Sequence, residues 1–373
     1  MSTKRESVSF TKGPESPTFL EWLINAFHIP FSWGCLLLAF VFGPPGAVLL
    51  TYVQTSSIED ALARTLRLFL GLVVPGWRGV AALALFSIIL FYFLYMIRYM
   101  RLKLVAAKPT LLPLLPEGEE TFHKIFSTVS QLLPPLLLGV VLIILANLQT
   151  YPDLPINYVK FIESSSANLY YVFVWLLFWL MIVGTFIWVY FSSIRGLHEL
   201  GKEPLKLKSF REDKTLGARP IGLLSFSFAS IYIGGIGLAV FMVIIILPAS
   251  STLLYSSLLA FLILIGIAFF FLPLYTIHQR MLEAKNLEQE ALRQKFSKVY
   301  EMPKASESPQ KDVSEALDRL TNIITIDVTK AEVDAIPTWP VDAPILSRLV
   351  TLMLSIIGII VANYLMTYVL QWI

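Results

Sequence analysis

From Ile345 to Ile373 the chain carries a single charged residue, Arg348, and most of the remaining side chains are apolar. At a rise of about 1.5 Å per residue, this stretch is long enough to cross a hydrocarbon core of about 30 Å. Six earlier stretches read the same way: Pro30–Tyr52, about Val80–Ile97, Leu133–Leu148, Tyr170–Phe191, about Ile221–Leu247 and Thr252–Tyr275. Composition agrees, because 15% of the residues are charged where soluble domains carry about 25%. The expectation is an all-α integral membrane protein with seven transmembrane helices.

The segments between the spans have their own patterns. In the N-terminal segment, 1–29, Thr18 and Glu21 have capping-box spacing, and Phe19, Leu20, Leu23, Ile24 and Phe27 give one apolar face to a short helix at the membrane surface. Gly43-Pro44-Pro45-Gly46 must bend or break the first span. Residues 57–74 are amphipathic and too charged to span, with Ser57 and Asp60 as their cap. After the second span, 104–130 reads as a proline-punctuated loop with a short helix near Glu119–Ser130. The fourth span continues past the membrane through Ile194, Leu197 and Leu200, with Gly201 as its stop. Gly234, Gly235 and Gly237 permit close helix approach or a kink in the fifth span.

Lys and Arg are unevenly placed. The N-terminal segment holds three, and the pieces after the second, fourth and sixth spans hold five, seven and nine. The intervening pieces hold two, one and none, and the C-terminus holds none, with Arg78 and Arg348 at span edges. By the positive-inside rule the N-terminus is cytoplasmic and the C-terminus outside. The expected layout is a six-helix transmembrane domain at 30–276, a cytoplasmic helical anchor segment at 277–343 and the final transmembrane helix at 344–373. The plasma membrane is the expected location.

Little catalytic chemistry is present. No acidic or basic side chain falls within a span core, which lowers the weight of ion-coupled transporters and proton pumps. The one cysteine, Cys35, rules out an intrachain disulfide framework and a multi-cysteine metal site. His28, His123, His198 and His278 fall near the cytoplasmic edge on separate segments and read as interfacial residues rather than metal ligands. His198-Glu199 beside Arg195 reads as an exposed helix extension rather than a site for lipid chemistry. No catalytic motif, cofactor or nucleic-acid partner is expected, no Asn-x-Ser/Thr sequon occurs, and no removable signal peptide is read. Membrane lipid is an expected partner; the basic loop 202–219 reads first as a cytoplasmic loop obeying the orientation rule, with anionic headgroup binding as the alternative.

Two features carry the functional reading. On the last helix, Thr351, Ser355, Asn363, Thr367 and Gln371 follow a four-residue spacing, with Ile359 in the gap. Polar groups inside a bilayer need partners or water, so this line serves either helix packing or a water-filled pathway. Beyond the sixth span, Ile277, Met281, Leu287 and Phe296 keep helical spacing, and Leu317 and Leu320 lie on a second helix at about 313–324. Their apolar faces point to self-association. The expectation is an oligomeric cation channel with the last helix lining the pore. The alternative is a non-channel scaffold or sensor module that binds a partner through its cytoplasmic helices.

Thr367, Tyr368, Val369, Leu370, Gln371 and Trp372 read as Thr-Tyr, a short apolar run, then Gln and an aromatic. With the seven-span, inverted topology, this resembles the superfamily of seven-transmembrane ion channels that includes insect odorant and gustatory receptors. The resemblance implies a tetramer held by the cytoplasmic extensions, a cation pore lined by the last helix, and a small-molecule ligand among the outer halves of the other spans.

Overall fold

The computed structural model describes residues 14–70, 77–150, 177–208, 212–213, 215–246, 252–300 and 309–370. Among these the regular structure is helical, with no strand. The helices are α1 (Phe19–Ala26), α2 (Phe31–Val41), α3 (Pro44–Thr55), α4 (Ile58–Leu70), α5 (Trp77–Leu111), α6 (Glu119–Phe126) and α7 (Leu133–Thr150). They continue as α8 (Leu177–Lys202), α9 (Arg219–Ile246), α10 (Thr252–Tyr300), α11 (Pro309–Asp334) and α12 (Ala343–Leu370). Six described stretches are long and apolar enough to cross a bilayer: Phe31–Thr55, Trp77–Leu114, Glu119–Leu142, Arg219–Ile246, Phe261–Lys295 and Ala343–Ala362. The chain is a multi-pass membrane protein. The remaining expected span begins outside the described residues, and its described part opens α8 at Leu177.

Local chemistry sets several boundaries. Thr18 and Glu21 close a capping box at α1, each side chain bonded to the other's backbone N–H. The first span breaks at Phe42-Gly43, and Pro44 opens α3 where its missing N–H costs nothing. Ser57 Oγ accepts from Asp60 N–H at the start of α4.

Three expectations need correction. Residues 104–111 are not loop: α5 runs unbroken to Leu111 with Pro109 in its last turns. Leu104 and Leu111 are fully buried there, and that packing outweighs the proline's lost hydrogen bond. The helix expected at 313–324 extends over Pro309–Asp334. Gly201 does not stop α8, which continues to Lys202. Instead it is a point of close approach, where a Cβ would lie 2.1 Å from Thr276 Oγ1.

α5 is the central post, packed against α2, α3, α8 and α9. α8 joins it to α7 and α10, and α9 joins it to α10 and α12. An aromatic layer ties these helices together: Phe93 stacks on Phe186 with centroids 4.6 Å apart, and Tyr190, Tyr232 and Phe269 meet at 5.7 Å. Tyr92 donates from its hydroxyl to the Ile231 carbonyl at 2.6 Å, in a space left open by Gly234. Within the glycine cluster of the fifth span, Gly234 is thus the close-approach site, while Gly235 and Gly237 have room for a Cβ.

α10 is a single helix of 49 residues with Pro273 inside it. Proline withdraws one backbone donor from the helix. One residue on from the Phe269 carbonyl that the proline leaves without its donor, Ser225 of α9 donates to the Phe270 carbonyl at 2.9 Å and ties α9 to α10.

Candidate functional site

The last helix lies at the edge of the bundle and packs mainly on α9. Ile345, Leu349, Met353 and Ile356 recur every three or four positions and are its buried face. Thr351 and Ser355 lie on the uncovered side and are exposed. Their hydroxyls donate to the carbonyls of Ser347, at 2.9 Å, and Thr351, at 2.8 Å. Such back-bonding satisfies a hydroxyl donor within its own helix. Ile359, next in the four-residue line, is partly buried against the core. Each four-residue step overshoots a turn by about 40°, so the line has wound toward the packed side. The side chains of Asn363 and Thr367, and all of Gln371, lie outside the described residues.

α10 and α11 form a hairpin that projects from the bundle. Lys285 holds the end of α11 by donating to the carbonyls of Asp334, at 2.7 Å, and Ile336, at 3.1 Å, while Gln289 donates to the Asp334 carboxylate. Lys285 thereby satisfies a carbonyl that the helix end leaves free, while Gln289 fixes the Asp334 side chain. Val333 and Ile336 are buried beneath them. Farther out, Leu317, Leu320, Ile324 and Val328 form an exposed apolar line on α11, with Leu317 67% exposed, and Leu287 of α10 is 68% exposed. Ile277 and Met281 are not part of this surface. Both are fully buried within the chain, because the adjoining turn of α10 is covered by α8 at Gly201. The side chain of Phe296 lies outside the described residues.

The segment between α11 and α12 seats the last helix. His278 Nδ1 lies 2.7 Å from the Thr338 carbonyl, which can only accept, so Nδ1 is the protonated nitrogen. The His278 ring stacks on Trp339 at 4.3 Å, and Trp339 meets Phe271 edge-on. Asp342 is held by Arg219 Nε at 3.0 Å. Glu199 pairs with Lys202 at 3.3 Å, but the extension is not the exposed one expected: Ile194, Leu197 and Leu200 are buried and His198 and Glu199 are half-buried, because the turn packs against its neighbours.

A buried ion pair joins α1 to α5. Arg101 Nε and Nη2 donate to the two Glu21 carboxylate oxygens at 2.8 and 2.9 Å, and Nη1 donates to the Pro14 and Glu15 carbonyls at 3.1 Å. This fork-to-fork geometry is the strong form of a charge-assisted bond. Two turns farther along the same helix, Lys108 donates to Glu15 and Glu119. Glu15, Glu119 and His123 bring ligand atoms within 4.8 Å of one another, but the place a metal cation would take is held by the Lys108 ammonium.

Comparison with protein-family models, with curated proteins and with solved structures gives no match. The resemblance to seven-transmembrane channels therefore rests on topology and on residues 367–372, and function must be read from the chain's own chemistry.

The Glu21–Arg101 pair escapes sequence reasoning because 80 positions separate its members. Glu21 is fully explained as a cap, and Arg101 falls among the basic residues expected beyond a span. The signal that could have found it is an acid on the apolar side of an amphipathic helix: Glu21 is buried between Leu20 and Ile24. Only a basic partner makes such a position tolerable.

Proposed function

We propose that several copies of this protein, with four as the expected number, assemble into a cation channel of the plasma membrane, opened by a small molecule or constitutively open, in which α12 lines the pore. The N-terminus and the hairpin lie in the cytoplasm and the C-terminus outside, as the placement of Lys and Arg requires. The observation that carries this reading is the uncovered face of α12. Thr351 and Ser355 point away from a helix whose other side is packed on α9. Polar side chains at bilayer depth are turned toward protein or water rather than acyl chains. The apolar line on α11 supplies the drive for assembly, each buried leucine contributing about 1.5–3 kcal/mol.

The test uses the single native cysteine, Cys35, which is buried and gives little background. In vesicles, Thr351→Cys and Ser355→Cys are expected to react with a charged, water-borne thiol reagent, and the reaction to reduce cation flux. Leu349→Cys and Met353→Cys, on the packed face, should stay unreactive. Silence at 351 and 355 removes the pore.

The back-bonded hydroxyls favour a second reading. Neither needs a water partner, which suits a non-channel scaffold or sensor module whose hairpin grips a cytoplasmic protein. Leu317→Glu with Leu320→Glu separates the two. The channel reading expects the purified assembly to fall apart into single subunits on size-exclusion chromatography. The scaffold reading expects a monomer before and after the change, with loss of the partner.

A further inference from the structure

On the lipid-facing side of the bundle, α2 and α5 enclose a groove of about 610 Å³. Its walls are Trp33, Leu37 and Phe40 on one side and Ile88 and Phe91 on the other, and Ala39 is its floor. The concavity has a simple origin. Ala39 is small and buried between bulky neighbours that project outward, and the helix break at Gly43 tucks Pro45 under the far end. Most of the wall is uncovered, with Trp33 64% and Ile88 51% exposed, while Phe91 is half-buried against the core. Ser87, the hydroxyl in the lining, donates to the Leu83 carbonyl of its own helix at 3.0 Å, so the groove asks for no polar ligand along its length.

Its mouth is different. Arg98 lies two turns beyond Phe91 on α5, and its guanidinium sits 4.4 Å over the ring of Phe31, the first residue of α2. No carboxylate among the described residues pairs with it, since Glu21 is taken by Arg101. The first turn of α2, beside Arg98, has no side-chain cap. An apolar trough at bilayer depth with a cation at one end matches an amphiphile with an anionic head. It does not match a sterol, which would leave the charge unmet.

We propose that this groove holds one acyl chain of an anionic phospholipid from the surrounding bilayer, with its phosphate on Arg98. The trough selects for a chain and the guanidinium for the head. Lipid bound here is a fixed component of the protein surface, distinct from the exchanging annulus around it. It braces the broken first span against the central post.

The test is photolabelling of the full chain in nanodiscs of phosphatidylcholine, doped with phosphatidylglycerol or phosphatidylcholine carrying a diazirine in the acyl chain. Adducts are expected on peptides covering 33–40 and 88–91. The phosphatidylglycerol probe should label them about fivefold more than its zwitterionic counterpart, the effect of one basic contact at a membrane surface. Arg98→Gln should bring the two probes to equal labelling while adducts persist. Ile88→Trp, which fills the groove from an exposed wall position without touching the core, should abolish adducts with both. Equal labelling by the two probes in the unaltered protein overturns the headgroup assignment. Adducts spread evenly over every lipid-facing helix, or unchanged by Ile88→Trp, overturn the groove as a site.

Discussion

Arg101→Ala is expected to destabilise the folded protein by about 3–5 kcal/mol, the cost of leaving a buried charge without its partner. Glu21 would remain in a site that excludes water, and the Pro14 and Glu15 carbonyls would lose their donor. The measurement is thermal unfolding in detergent, compared with Arg101→Lys. Lysine keeps the charge but cannot make the two-pronged contact, so it should recover only part of the loss. Replacing both partners, as Arg101→Met with Glu21→Leu, should be milder than Arg101→Ala alone, because no orphaned charge remains. It should still fall short of the native protein. Glu21 also accepts from the Thr18 backbone N–H and hydroxyl, and loss of such a cap costs about 1 kcal/mol. If Arg101→Ala melts with the native protein, α1 is not held by this pair.

Gly222→Ala is expected to unseat the start of the last helix. A Cβ at this position would lie 1.9 Å from the Pro340 carbonyl oxygen, a backbone atom that cannot rotate away. The 337–342 segment must therefore lift from α9, stretching the Arg219–Asp342 pair and the His278–Thr338 bond. Overpacking of this kind costs about 1–3 kcal/mol. Faster amide hydrogen exchange over 336–346 reads the effect directly. Gly358→Ala in α12 is the control, since a Cβ there meets nothing within 4 Å and should be tolerated. Equal exchange in the two variants would show that Gly222 does not set the position of α12.

Much of the fold is legible in the residues because the deciding interactions are local. The capping box at Thr18, the break at Gly43-Pro44 and the helix that runs out of the sixth span each depend on neighbours a few positions apart. Tertiary packing decides the rest. Pro109 marks a loop by its own chemistry, yet Leu104 and Leu111 are buried on either side of it and the helix carries on. Ile277 and Met281 have the same spacing as Leu287, but only contact with α8 tells which are covered within the chain and which are left outward. The polar line on α12 is legible as a pattern of spacing. Where it points depends on how the helix lies on α9, and that turns Ile359 inward while Thr351 and Ser355 stay out.

α10 is about 74 Å long at 1.5 Å per residue, and it is one piece from the membrane to the hairpin. Three of its holds on the rest of the chain fall within a short interval: Ser225 beside Pro273, Gly201 against Thr276, and His278 under Trp339. Because His278 holds Thr338 and Trp339 in that interval, the chain leading into α12 is fastened to α10 at the level where α8 and α9 also grip it.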